Sequence, residues 1–104
     1  MSNTELEKKE KRVRALLAGL SELGALRPGT LTVQYRNPGE RKTPFHQLSY
    51  THQGKSRSEY VRPESLASVR REVEAYKRFR RDIEEITRLS LEASKLRHKR
   101  NRAP

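Results

Sequence analysis

Apolar and polar positions recur with two different periods along this chain, and the changes of period divide it. Over residues 4–24, Leu6, Val13, Leu16, Leu17, Leu20 and Leu23 fall on one face when each residue turns about 100°. That spacing predicts an amphipathic helix, opened by the capping box Thr4-x-x-Glu7 and closed by Gly24, a residue that tolerates positive φ. Lys8, Lys11, Arg12 and Arg14 lie mostly off the apolar face. A turn at Leu26-Arg27-Pro28-Gly29 follows, with proline presetting φ and Gly29 accepting φ > 0. Residues 30–36 then alternate with period two: Leu31, Val33 and Tyr35 are expected on a buried face, and Thr30, Thr32, Gln34 and Arg36 on the other. Residues 37–44 form a polar loop bounded by prolines.

Two more strands are expected, over residues 45–51 and 55–61, and the loop between them decides which side chains share a face. A two-residue loop at Gln53-Gly54 pairs His52 with Lys55 and sets Leu48 opposite Glu59. A three-residue loop, His52-Gln53-Gly54, instead pairs Leu48 with Ser58 and His46 with Tyr60, with Gly54 in the αL position of a bulge. This second register gathers His46, Leu48, Tyr50, Ser58 and Tyr60 on one face, and Gln47, Ser49, Thr51, Lys55, Arg57 and Glu59 on the other. It segregates polar from apolar residues, and is preferred on that ground.

Pro63 suits the first turn of a helix, where its missing N–H costs nothing. No glycine or proline then interrupts the chain until Pro104, and the run is rich in Glu, Arg, Lys, Ala and Leu. A long basic helix is expected over residues 63–97, with a frayed basic tail over 98–104. Its apolar positions change direction near Tyr76. Leu66, Val69, Val73 and Tyr76 occupy one arc; Phe79, Ile83, Ile86, Leu89, Ala93 and Leu96 drift onto a neighbouring one. Two burial tasks follow: the first half covers the sheet, and the second packs on the N-terminal helix or on another subunit.

The composition narrows the class of partner. The 104 residues bear 24 Lys+Arg against 13 Asp+Glu, a formal charge of +11, with a pI near 10.6. A small domain with that excess attracts polyanions, and its affinity for nucleic acid falls with salt as counterions are released. Hydrophobic residues make up only 32%, so the core is thin and monomeric stability modest. There is no cysteine, hence no disulfide framework or thiolate metal site. The opening Met1-Ser2-Asn3-Thr4-Glu5 lacks the apolar stretch of a secretion signal and no apolar run approaches membrane length, so a cytoplasmic location is the default expectation.

Candidate binding residues come from the hairpin and the long helix. Arg70, Lys77, Arg81, Arg88 and Lys95 recur at spacings of 7, 4, 7 and 7 and so share a helix face, where arginine forks suit phosphate oxygens. The bland alternative is a solvated face, since Glu74, Glu84, Glu85 and Glu92 interrupt the positive field. On the ribbon, Lys55 and Arg57 with Gln47, Ser49 and Thr51 form a face able to grip phosphates or read base edges. Arg41, Lys42 and Arg62 extend its charge, although an ordinary solvated sheet surface also alternates in this way. Tyr50 and Tyr60 are of a type that stacks on bases, but the preferred register makes them core. His46, His52 and His98 have no metal-ligand spacing, and no nucleophile motif, paired carboxylates or Gly-rich phosphate loop stands out. No cofactor and no enzymatic activity are expected.

The block from Leu26 to Arg36, then Gln47-Leu48-Ser49-Tyr50 and Gly54-Lys55-Ser56-Arg57-Ser58-Glu59-Tyr60-Val61, resembles an uncharacterised prokaryotic family of small proteins. Over residues 26–89 the resemblance implies the same order of strand, hairpin and long helix, and a prokaryotic, phage or mobile-element source. Relatives typically carry a cysteine-rich segment between the first two blocks. This chain lacks it, so no metal role carries over.

The expectation is a single α+β domain: N-terminal helix, three short antiparallel strands, long C-terminal helix. It is expected to bind DNA or RNA without catalysis. The rival is a helical adaptor or homo-oligomer that uses Phe79, Ile83, Ile86 and Leu89, its charge serving solubility.

Overall fold

The computed structural model describes residues 3–37, 39 and 43–101. In chain order it has α1 (Asn3–Leu20), β1 (Thr30–Tyr35), β2 (Pro44–His52), β3 (Lys55–Val61), a single 3-10 turn (Pro63–Ser65) and α2 (Leu66–Asn101). The α+β order is the one expected. The chain divides into two compact units, Met1–Leu23 with Arg78–Pro104, and Gly24–Lys77. They are termed the helical unit and the sheet unit.

The sheet unit is a three-stranded antiparallel sheet in the order β1-β2-β3. β2 pairs with β1 through Leu31↔Leu48 and Val33↔His46, and with β3 through Leu48↔Glu59 and His52↔Lys55. The hairpin therefore has the two-residue loop, and the bulged register preferred from the sequence is wrong. Gln53 and Gly54 have φ of 52° and 78°. Positive φ at both central residues is the I′ signature, whose twist matches that of the flanking strands. Segregation misled because β3 is an edge strand with one buried residue, Val61. The apolar neighbours of Leu48 come from β1 and α2 as well as from β3.

Leu48, 2% exposed, forms the core with Val61 and Val73, and Leu31, Leu66 and Val69 pack around them. Burying a side chain such as Leu48 contributes about 1.5–3 kcal/mol. The first half of α2 thus covers one sheet face, as its apolar arc implied. Val33 was expected in the core but is 49% exposed: the cluster around Leu48, Val61 and Val73 takes in Leu31 from β1 and stops short of Val33. The Arg27 N–H donates to the Glu72 carbonyl (3.1 Å), tying the approach to β1 onto α2. Gly29, at φ +144°, lets the chain pass close to Leu48: a Cβ there would lie 2.8 Å from Leu48 Cδ1. Arg62 is extended, and the Ser65 N–H donates to its carbonyl (2.9 Å), so Pro63 opens the 3-10 turn that leads into α2.

In the helical unit, α1 runs antiparallel to the later part of α2. The Lys9 ammonium donates to Glu92 (2.8 Å), Arg12 to Glu85 (3.2 Å) and Arg97 to Glu10 (2.9 Å). Leu6, Leu16, Leu89 and Ala93 are buried, so the second apolar arc of α2 finds its cover within the chain. Leu17, expected on the buried face of α1, is 51% exposed. Leu6 and Leu16 take the buried positions of α1, and Leu17, one residue on, lies at the rim of that face. Thr4 lies inside the first turn, because α1 begins at Asn3. α2 stays helical to Asn101, past the expected end near residue 97; residues 102–104 of the expected tail lie outside the described residues.

Candidate nucleic-acid interface

The register sorts the sheet side chains into two faces, since directly paired residues project to the same side. The helix-bearing face holds Leu31, Leu48 and Val61, with His52, Lys55 and Arg57 toward the hairpin tip. On the open face, paired residues run in rows across the strands. Thr30 pairs with Ser49 and Ser49 with Ser58; Thr32 pairs with Gln47 and Gln47 with Tyr60; Gln34 pairs with Phe45. Lys55 and Arg57 therefore do not share a face with Gln47, Ser49 and Thr51. The ribbon surface expected from the sequence is split between the two sides of the sheet, a direct consequence of the two-residue turn.

On the helix-bearing face, Arg27, Tyr50 and Glu59 form a polar node. The Arg27 guanidinium donates to Glu59 (2.5 Å) and lies 4.8 Å from the centroid of the Tyr50 ring. Arg27, and then the Tyr50 hydroxyl, donate to the Glu59 carboxylate and hold its pKa below the ordinary 4.5. Tyr50 is half-buried here. Tyr60, expected beside it in the core, projects from the open face and is 56% exposed. Its ring centroid is 6.3 Å from that of Phe45, at an interplanar angle of 42°. The Arg36 guanidinium lies 5.9 Å from the Phe45 centroid, within the range of a cation–π contact. Hydroxyl pairs occupy the rest of this face, Ser49 with Ser58 (3.3 Å) and Thr51 with Ser56 (3.5 Å).

The remaining candidates are dispersed. Gln47 and Ser49 are half-buried on the open face, and Arg62 is exposed just beyond β3. Arg41 and Lys42 lie outside the described residues. On α2, Arg70 and Lys77 belong to the sheet unit, and Arg81, Arg88 and Lys95 to the helical unit; all five are exposed. Lys77 pairs with Glu74 (3.3 Å) and Arg88 with Glu92 (3.5 Å). Glu92 is held below its ordinary pKa chiefly by its hydrogen bond from Lys9, whose own pKa is raised by the same bond. Among the described residues no His/Cys/Asp/Glu group could hold a metal ion, and no helix is long and apolar enough to cross a membrane.

Phe45 and Arg36 were not singled out from the sequence, and Tyr60, weighed there as a base-stacking type, was assigned to the core; the structure brings the three together on the open face. The available signal was parity: in the two-residue register Tyr60 falls beside Gln47 on the side away from Leu48.

No curated protein and no solved structure matches the chain. The sequence pattern of a domain of unknown function, DUF6788, matches residues 3–71. That span takes in α1, all three strands and the opening turns of α2, where the resemblance read from the sequence began at Leu26. The chain belongs to the DUF6788 family.

Proposed function

We propose that this protein is a non-enzymatic nucleic-acid-binding domain that holds DNA or RNA mainly through its surplus of basic side chains. One observation supports the reading: the ion pairs engage only a subset of the cations, and the cations left outside them outnumber the acids likewise left over, Glu7, Glu22, Glu64, Glu72 and Glu84 among the described residues. Glu59 pairs with Arg27, Glu74 with Lys77, Asp82 with Arg78, Glu85 with Arg12 and Glu10 with Arg97. Arg36, Lys55, Arg57, Arg62, Arg70 and Arg81 are exposed and make no ion pair with a described residue. Such side chains keep their full field for a polyanion. The test is a salt series of binding to mixed-sequence DNA and RNA. Affinity is expected to fall steeply with salt, with a slope of roughly 0.7–0.9 per phosphate contacted. Replacing Lys55 and Arg57 together by glutamine should lower that slope. Absence of binding, or binding insensitive to salt, overturns the proposal.

A second reading, self-association or a protein partner, draws on the helical unit, where Leu17 and Leu91 are exposed apolar side chains. The arc of Phe79, Ile83, Ile86 and Leu89 is a poorer basis for it, being half-buried or buried within that unit. Sedimentation separates the readings: Leu91→Asp disperses a self-associating module and leaves a monomeric nucleic-acid binder unchanged.

A further inference from the structure

We infer that the open face of the sheet is a platform for single-stranded nucleic acid: a base stacks on Tyr60, and Arg36 and Arg62 take the flanking phosphates. The inference rests on the nucleic-acid reading and adds to it a strand state, a face and a contact residue.

Four observations lead to it. First, Tyr60 has no packing reason to be aromatic. It stands on the open side of an edge strand, 56% exposed, while the core on the opposite side is complete with Leu48, Val61 and Val73. A large ring held on a regular strand presents apolar area with little conformational freedom left to lose on binding. Second, it has a neighbour. Phe45, half-buried at a centroid separation of 6.3 Å, buttresses Tyr60 from the diagonal position of the central strand and widens the aromatic surface beyond one ring.

Third, the described charged residues that flank the strands on this side, Arg36 and Arg62, are both cationic. Arg36 lies over Phe45, and Arg62 follows β3 two residues after Tyr60 in extended backbone, which brings it to the same side. No strand residue on the open face is acidic. Glu59, the acidic residue of β3, projects to the other side, where Arg27 neutralises it. Fourth, the remainder of the face consists of hydroxyls and amides. Ser49, Ser58, Thr51, Ser56, Gln34 and Thr32 are joined by contacts of 3.3–3.5 Å. Each hydroxyl keeps spare donor or acceptor capacity for base edges or backbone oxygens.

This combination selects a single strand over a duplex. An exposed ring stacks only on a base whose own face is free, and a duplex offers free faces at its ends alone. A duplex is held by rows of phosphate contacts, whereas the open face has its arginines at one end and neutral hydroxyls toward the hairpin. Aromatic rings on a sheet, flanked by a few cations, are instead the arrangement by which single strands are bound with tolerance of sequence.

The test uses the full chain and fluorescence anisotropy on three labelled probes: oligo-dT, oligo-rU and a mixed-sequence DNA duplex. Tyr60→Ala is expected to weaken binding to the single strands by roughly ten- to a hundredfold and to change duplex affinity less than threefold. Tyr60→Phe, which keeps the ring, should stay within threefold of the parent on all probes. The chain has no tryptophan, so Tyr60→Trp introduces one indole, whose emission should be quenched on adding oligo-dT. Arg36→Gln with Arg62→Gln should reduce the salt slope on the single strands. The thermal midpoint of each variant verifies folding, and an exposed position should leave it unchanged. If Tyr60→Ala binds like the parent while the parent shows salt-dependent binding, the platform is refuted and the broader nucleic-acid reading stands. An equal loss on single strands and duplex also refutes it. No binding to any probe removes both. Preference between oligo-dT and oligo-rU, with either sign, identifies the natural strand and supports the platform when Tyr60→Ala abolishes it.

Discussion

Gly29 offers a sharp test of how the sheet unit is packed. Its φ of +144° is a conformation that a side chain resists, and a Cβ would lie 2.8 Å from Leu48 Cδ1 and 3.0 Å from the Ser49 carbonyl oxygen. In Gly29→Ala, the backbone penalty is about 1–2 kcal/mol. Relieving the two contacts must shift both the central strand and the most buried leucine, an overpacking cost of about 1–3 kcal/mol. Alanine also narrows the unfolded ensemble, which returns about 0.4–1 kcal/mol. The net destabilisation is about 1–5 kcal/mol, a large share of the stability of a chain this size. It corresponds to a fall in Tm of about 5–35 °C. Urea unfolding followed by far-UV circular dichroism measures it, compared at constant m. Gly19→Ala is the control: Gly19 lies inside α1 with nothing within 4 Å of the added Cβ, so it should stabilise by about 0.5–1 kcal/mol. If Gly29→Ala is neutral or stabilising while Gly19→Ala behaves as stated, the close approach to Leu48 is not a constraint and the argument fails.

Three further outcomes are expected. Gln53→Asn, at a loop position with φ of 52°, should raise stability by up to about 1 kcal/mol, since asparagine adopts αL more readily; a loss in the same urea assay would contradict the I′ turn. Leu48→Ala should cost about 2–5 kcal/mol, and a cost under about 1 kcal/mol would mean that the centre of the sheet is not the core. Glu59 has a depressed pKa, so the stability its pair with Arg27 contributes is present above about pH 4.5 and lost as pH falls through the folded value. Both partners are partly exposed, which keeps the effect small. Glu59→Gln should lose less stability than the parent on acidification, and equal acid limbs in a pH series of urea midpoints would refute the linkage.

Much of the fold was legible because its periodicities are local. The switch from the helical repeat of Leu6, Val13, Leu16 and Leu20 to the alternation of Leu31, Val33 and Tyr35, then back at Pro63, places every element. The change of direction near Tyr76 falls where the two units divide, between Lys77 and Arg78. Fine register was not legible. Leu48 is opposite Glu59 because the turn geometry dominates, and the burial of Leu48 is met by Val73 and Leu31, far from β3 in sequence. A criterion confined to the two strands of the hairpin could not see those partners. The candidate surface inherited the error: one residue of register moved Tyr60 from the core to the open face, and separated Lys55 and Arg57 from Gln47 and Ser49. Val33 and Leu17 show the same limit, since their alternation or arc is right and the covering element falls short.

The sheet has two free edges, and they are not alike. β3 bears Lys55, Arg57 and Glu59, which discourage a second strand from laying itself alongside; charged edges are a common guard against aggregation. β1 has no such guard. Thr30–Tyr35 is uncharged and rich in β-branched and aromatic residues, a composition that favours strand addition. Any intermolecular extension of this sheet would start at β1, from the side opposite the hairpin. The edge whose strand bears no charge is therefore where solubility is most easily lost, and where a single lysine at Val33, already exposed, would most improve it.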